Sequence, residues 1–119
     1  MSFKSELERI EFIKKKLETE IKWTIRGILV IYRYQTNEEK SRHETIEDNG
    51  IGFNGVDARI LTSYAKQILE WERKDPATRF QYGLSPKQYE IARRKMGKYA
   101  KQICRVEKGK LDQVYPIVI

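Results

Sequence analysis

The chain has 119 residues, of which 39% are hydrophobic and 34% charged, and its formal net charge is +7. This length is typical of one domain, and the apolar content is too high for a disordered tail. No apolar run approaches the roughly 20 residues that a membrane span needs, and the lone Cys104 excludes a disulfide within one chain. We therefore expect a single domain over 1–119 that acts in the reducing cytoplasm, with no membrane partner.

The positive charge is concentrated in one C-terminal segment. Residues 84–110 contain nine lysines and arginines and only two acids, so this segment alone carries a net charge of +7. Residues 1–47 carry ten basic and nine acidic residues, which nearly cancel. Such a concentration of basic charge favours a polyanion or an acidic protein face as the partner.

Apolar residues recur at spacings of three and four from the N-terminus onward, which predicts one long α-helix over 4–36. A β-strand is the alternative over 21–34, where the sequence also alternates with period two. Gly27 weakens a helix, and a helix of this length is unusual in a small domain, so the pattern also allows a break within 19–27 or close packing at Gly27. The apolar stripe consists of Leu7, Ile10, Ile13, Leu17, Ile21, Ile25, Ile28 and Tyr32.

The apolar period is lost between 37 and 54, where glycine, asparagine and acidic residues predict a flexible connection. A loop anchored by Ile51 and Phe53 is the alternative. In either case we expect Phe53 to enter the core just ahead of the next helix.

Two further helices are predicted, each with an N-terminal capping signal. The helix over 55–74 begins at Asn54, whose side chain caps the free amides while Asp57 reaches back to the nitrogen of Asn54. The helix over 86–108 begins with a capping box in which Ser85 and the glutamine three residues later satisfy each other's amides.

Gly109 is expected to end this last helix, and the apolar tail VYPIVI that follows should cover the core. This tail is the second place where a short β element could form. The fold class is therefore mainly α, a small bundle of about three helices.

The pentapeptide YAKQI occurs twice, at 64–68 and at 99–103. In both copies the tyrosine and the isoleucine fall on the apolar stripe of a predicted helix, and the lysine points away from the core. Two amphipathic helices of the same register would share this pattern, and a duplicated unit is the alternative.

Patterns for catalysis or metal binding are missing. His43 is the only histidine and has no second His or Cys near it in sequence, so no zinc-type ligand spacing exists. The glycines at 50–55 are not followed by the Lys-Ser/Thr of a phosphate-binding loop. Cys104 is expected to be a small, partly buried side chain. We predict a protein that is not an enzyme and has no cofactor or metal.

The basic residues of the last predicted helix lie opposite its apolar stripe, with no acid between them on that face. A face that only keeps a protein soluble usually mixes both signs of charge, so an anionic partner is favoured. The predicted contact residues are Lys87, Arg94, Lys98, Lys101, Arg105 and Lys108, together with Lys66 on the preceding helix.

Arg79 and Tyr82 belong to a surface loop that alternates cations with aromatic rings. Such a loop suits unpaired bases, because rings stack on bases while arginine meets phosphate, so single-stranded nucleic acid is favoured. The alternative is that Phe80 and Tyr82 cover the end of the helical core.

Two segments resemble small, mostly uncharacterised proteins of phages and mobile elements. They read GFNGVDARILTSYAKQ at 52–67 and LSPKQYEIARRKMGKYAKQ at 84–102, and they match the patterns GFN-x-x-DA-x-x-L-x-S-x-A-x-Q and LS-x-KQ. The connection EWERKDPATRFQYG is longer than in those proteins. The resemblance implies a role in replication, recombination or host–phage conflict, and a place in the host cytoplasm. The matched positions include Phe53, Asp57, Ser63, Gln67, Leu84, Ser85, Lys87 and Gln88.

Three functions are compatible with these features. The first is a non-enzymatic protein that binds nucleic acid through residues 79–108. The second is a protein inhibitor of a host defence nuclease, similar to an anti-CRISPR protein, that docks its basic face on a nucleic-acid-bound complex. The third is a structural homodimer in which the long first helix pairs with its twin.

Overall fold

The computed structural model describes residues 2–41, 51–74 and 81–118, and most of these residues are α-helical. The mainly α prediction is confirmed, whereas the three-helix count is wrong because two of the predicted helices are interrupted. Among the described residues no β-strand forms, and only an isolated bridge joins Phe3 to Ile117. The helices are α1 (Glu6–Thr19), α2 (Ile21–Ser41), α3 (Ala58–Arg73), α4 (Pro86–Met96), α5 (Ala100–Val106) and α6 (Lys108–Val114), and a 3₁₀ turn over Gly97–Tyr99 connects α4 to α5.

The predicted first helix is divided at Glu20, whose backbone is extended with φ −122° and ψ 118°. The buried hydroxyl of Thr24 donates a hydrogen bond of 2.7 Å to the carbonyl of Leu17 and so bridges the break. The break allowed within 19–27 is therefore confirmed, and the strand alternative over 21–34 is wrong. Because α1 and α2 pack on each other, the uncovered apolar length that suggested a homodimer is largely buried within the chain, and the homodimer stays a prediction.

Gly27 lies where α2 packs on Leu17 of α1. A Cβ atom at this position would lie 2.7 Å from Cδ2 of Leu17 and 3.2 Å from side-chain atoms of Met96 and Ile103. The glycine therefore permits close helix packing, as the sequence allowed, and the helix continues through it.

The loop that leads into α3 is anchored by side chains of other elements. The amide of Gly52 donates to Oε1 of Gln102 at 2.9 Å, and the amide of Phe53 donates to Oε1 of Gln35 at 2.9 Å. Phe53 is buried, as predicted. α2 extends to Ser41, into the connection predicted over 37–54, whereas α3 begins at Ala58 and not at the predicted residue 55. Residues 42–50, with His43, lie outside the described residues.

The capping box at Ser85 is confirmed. The Oγ atom of Ser85 accepts from the amide of Gln88 at 3.1 Å, and Oε1 of Gln88 accepts from the amide of Ser85 at 3.0 Å. The end predicted at Gly109 is wrong, because Gly109 lies inside α6 and the break between α5 and α6 falls at Glu107, with φ −104° and ψ 19°.

The two ends of the described chain meet on the outside of α1. The amide of Phe3 donates to the carbonyl of Pro116 at 2.9 Å, and the ring of Tyr115 lies 5.1 Å from that of Phe12. Beneath them the fully buried Arg9 donates to Asp112 at 2.7 Å and to the Tyr115 carbonyl at 3.3 Å. The tail therefore covers apolar surface, as expected. Within the described residues, none of the helices has the length and apolar character to cross a bilayer.

Candidate nucleic-acid interface

A buried carboxylate joins the start of α3 to the end of α4. Oδ2 of Asp57 accepts hydrogen bonds of 2.8 Å from Nζ of Lys98 and from the hydroxyl of Tyr99. Its Oδ1 accepts from Nζ of Lys95 at 3.1 Å. The side chain of Asp57 is buried, whereas 48% of the Lys98 side chain is exposed to solvent. The carboxylate thus holds two cations of α4 and the following turn in place from below.

The electrostatics of this cluster stabilise the ionised form of Asp57. Burial opposes its ionisation, but the hydrogen bonds from Lys98, Tyr99 and Lys95 and the charge of Lys98 outweigh burial and lower the pKa of Asp57 to about 2. Burial and the nearby carboxylate raise the pKa of Tyr99 to about 12, so its hydroxyl remains a donor.

Asp57 does not take the capping role that the sequence predicted. The amide of Asn54 donates instead to the hydroxyl of Tyr99 at 3.0 Å, and the side chain of Asp57 points to the two lysines. Oδ1 of Asn54 does accept from the amide of Asp57 at 3.0 Å, but α3 begins at Ala58, so this bond closes the turn that precedes the helix. Full charges outcompete a backbone amide as partners for a buried carboxylate.

Three of the predicted contact residues are engaged with carboxylates. Arg94 contacts Glu90 at 3.0 Å, Lys98 contacts Asp57, and Lys108 contacts Asp112 at 2.8 Å. Two of these acids come from outside residues 84–110. The net charge counted along that segment therefore overstates the charge that its surface offers to a partner.

Lys101 and Arg105 are the two predicted contact residues that lie on α5. They lie four residues apart, so they share one face of the helix, and both are exposed. Among the described residues no carboxylate comes within ion-pair distance of either side chain. This pair forms an uncompensated positive charge on the predicted face.

Lys66 and Lys87 lie beside a contact between α3 and α4. Their neighbours Gln67 and Gln88 exchange two side-chain hydrogen bonds of 2.7 and 3.1 Å, which brings the outer turn of α3 to the start of α4. Both lysines are exposed. Lys66 also lines an open hollow between α2 and α3 together with Ser63. The structure thus brings Gln67 and Gln88, which are 21 residues apart in sequence, into contact, and each of the two lysines is adjacent in sequence to one of them.

The two YAKQI copies have the same register, as predicted. Both tyrosines and both isoleucines are buried, and both lysines are exposed. Each glutamine bonds the backbone of a preceding or following loop: Gln67 donates to the carbonyl of Gly83 at 2.7 Å, and Gln102 accepts from the amide of Gly52.

Tyr82 is partly buried, and its ring centroid lies 6.1 Å from that of Trp71 on α3. Its backbone has φ 56°, an uncommon value for a residue with a side chain, and Gly83 follows with φ 83°. The ring therefore covers the end of the core in part, as the alternative proposed. Arg79 and Phe80 lie outside the described residues.

A second group of cations was missed by the sequence reasoning. Lys22, Arg26 and Arg33 lie on one exposed face of α2, and Lys110 of α6 lies beside them. They border two adjoining hollows of about 280 and 330 Å³ that share Lys22, Arg26, Val30 and Glu107 as lining residues. The sequence could have shown this group, because Lys22, Arg26 and Arg33 are spaced by four and seven residues, which places their side chains on one helical face. We call these two hollows the α2 groove.

Cys104 is the cysteine of the chain, and its side chain is buried. Burial raises the pKa of the Cys104 thiol to about 11, so little thiolate exists near neutral pH. Among the described residues no group of three or more His, Cys, Asp or Glu side chains could hold a metal ion.

Fold and surface together describe a mainly α protein with cations on two faces. Comparison of the chain with protein-family models, with curated proteins and with solved structures found no match. The resemblance to proteins of phages and mobile elements therefore stays a prediction.

Proposed function

We propose that the protein is a non-enzymatic nucleic-acid-binding protein that prefers single strands. The observation that supports this most is the exposed pair Lys101 and Arg105 on α5, which has no carboxylate partner among the described residues. Two uncompensated cations one turn apart repel each other, and a phosphate between them removes that repulsion.

Lys98 extends the same face toward the N-terminal side. Its ammonium group is oriented by the buried Asp57, and because the side chain is about half exposed, the remaining donors can bind a second phosphate. Phosphate contacts of this kind position a strand without reading its sequence. We therefore expect little sequence specificity and a strong dependence on salt.

The decisive experiment measures binding to a 20-nucleotide single strand and to the matching duplex over a salt series. The double variant Lys101→Gln and Arg105→Gln removes two charges from the proposed face. Each lost phosphate contact should reduce the slope of log K against log salt by about 0.7 for single strands and about 0.9 for duplex. The double variant should therefore lower the slope by about 1.4 and about 1.8, respectively.

The double variant Lys14→Gln and Lys15→Gln is the matched control. Both lysines are exposed on α1 and have no carboxylate partner among the described residues. The control variant therefore loses two uncompensated charges, as the Lys101 and Arg105 variant does. Its slope should stay that of the wild type. Equal slopes in all three proteins, or no binding by the wild type at low salt, would refute the proposal.

A further inference from the structure

We propose that the α2 groove binds an acidic amphipathic segment of a protein partner. This site is distinct from the Lys101–Arg105 face and does not depend on the proposed nucleic-acid binding. Its occupant would insert apolar side chains into the groove and place carboxylates against the cations at the rim.

The first hollow of the groove has an apolar floor. The buried residues Leu17 of α1, Val30 of α2, Ile103 of α5 and Leu111 of α6 form this floor, and the exposed Val114 of α6 also lines the hollow. Val114 keeps 52% of its surface exposed to solvent. A hollow of about 280 Å³ with this lining is suited to apolar side chains that a partner presents in a row.

The rim of the groove is cationic. Lys22, Arg26, Arg33 and Lys110 are exposed, and none has an ion-pair partner among the carboxylates of the described residues. The lining acids are Glu72 and Glu107, so the groove keeps a net charge of +2 near neutral pH. Charge complementarity therefore selects an acidic occupant.

The apolar floor disfavours a nucleobase as this occupant. A base carries donors and acceptors around its edges, and Leu17, Val30 and Leu111 offer no polar atom to pair with them. Burying these edges unpaired costs free energy, whereas leucine or valine side chains bury no polar group. A second copy of this chain docked by two-fold symmetry is also disfavoured, because each cationic rim would face an identical one.

The test uses three fluorescent helical peptides of equal length. The first has leucine at i, i+3, i+4 and i+7 with glutamate elsewhere; the second replaces glutamate by lysine, and the third replaces leucine by alanine. We expect the first peptide to bind at least about tenfold tighter than either of the others, because both its leucine side chains and its negative charge contact the groove favourably.

Two pairs of variants place the peptide on the groove. Arg26→Glu reverses a rim charge and should weaken binding of the first peptide at least about fivefold, whereas Lys14→Glu makes the same charge change on α1 and should not. Val114→Asp should weaken binding similarly, and Val56→Asp, at a position 86% exposed outside the groove, should not. The variant of Lys101 and Arg105 should bind the peptide normally.

Three results would overturn the inference. Equal affinity for the three peptides, or equal losses in a variant and its control, removes the groove as the site. A single-stranded oligonucleotide that competes with the peptide and loses affinity in Arg26→Glu and Val114→Asp assigns the groove to nucleic acid. A dimer in sedimentation that Arg26→Glu dissociates assigns it to a second copy.

Discussion

The side-chain amides of Gln67 and Gln88 are joined by two hydrogen bonds, in which each Nε2 donates to the Oε1 of the other residue, at 2.7 and 3.1 Å. The pair extends to the backbone at both ends, because Gln67 also donates to the carbonyl of Gly83 and Gln88 accepts from the amide of Ser85. Gln67 and Gln88 therefore have a structural role, because they join α3 to the start of α4.

We predict an energetic coupling between these two residues. In a double-mutant cycle, Gln67→Ala and Gln88→Ala should show an interaction energy of about 1 kcal/mol in urea denaturation, since the second substitution has no partner left to remove. The same cycle with Gln67→Ala and Ser5→Ala, which caps the distant α1, should be additive. A coupling of zero between Gln67 and Gln88 contradicts the pairing.

Asp57 should make the protein sensitive to acid. Its pKa in the folded state, about 2, lies below the ordinary value of 3.8, so its ionisation contributes about 2 kcal/mol above pH 4 that is lost as the pH falls toward 2. Asp57→Asn should be less stable than the wild type at pH 7 and approach it near pH 2. Chemical denaturation at several pH values measures the difference; the control Glu11→Gln, at an exposed position on α1, should parallel the wild type throughout.

The same substitution at two helical glycines should have opposite effects. Gly27→Ala forces a Cβ to within 2.7 Å of the buried Leu17 and should destabilise the protein by about 1 kcal/mol or more, despite the better helix propensity of alanine. Around Gly109 no heavy atom beyond its chain neighbours and its own helix backbone lies within 4 Å of an added Cβ, so Gly109→Ala should stabilise the protein by up to about 1 kcal/mol. Thermal melts of both variants measure the two changes in stability. Stabilisation by Gly27→Ala would contradict the prediction and show that α1 and α2 separate easily.

The capping hydroxyl of Ser85 should contribute measurably to stability. Ser85→Ala removes the acceptor for the amide of Gln88 and should cost about 1 kcal/mol. Ser63→Ala, at an exposed position inside α3, should be neutral or slightly stabilising because alanine favours helix. An unchanged denaturation midpoint in Ser85→Ala would show that α4 does not depend on this cap.

Tyr82 allows base stacking to be separated from packing. Tyr82→Leu keeps an apolar contact with Trp71 but loses the flat aromatic face, so affinity for single strands should fall by about 1 to 3 kcal/mol with little change in salt slope. Tyr82→Phe retains the ring and should bind like the wild type. If both variants bind equally well, Tyr82 only covers the core.

Local features of this fold were predictable from sequence because their causes lie within one or two helical turns. The 3.6-residue period identified the helical class, and the capping box at Ser85 marked the start of α4 to the residue. The register of the two YAKQI copies followed from the same period. The break at Glu20 was predicted only to lie within 19–27, because the apolar stripe keeps its helical phase on both sides of the break.

The partners of charged side chains were decided only by the tertiary structure. Asp57 had a local choice, the amide of Asn54, and a distant one, Lys98, which lies 41 residues away in sequence. The fold places the turn over Gly97–Tyr99 beside the start of α3 and brings that lysine to 2.8 Å from the buried carboxylate, where a full charge stabilises a carboxylate more than an amide does. The sequence by itself thus determined the helical class and where the basic residues are concentrated, whereas the folded arrangement decided which of those cations remain free for a partner.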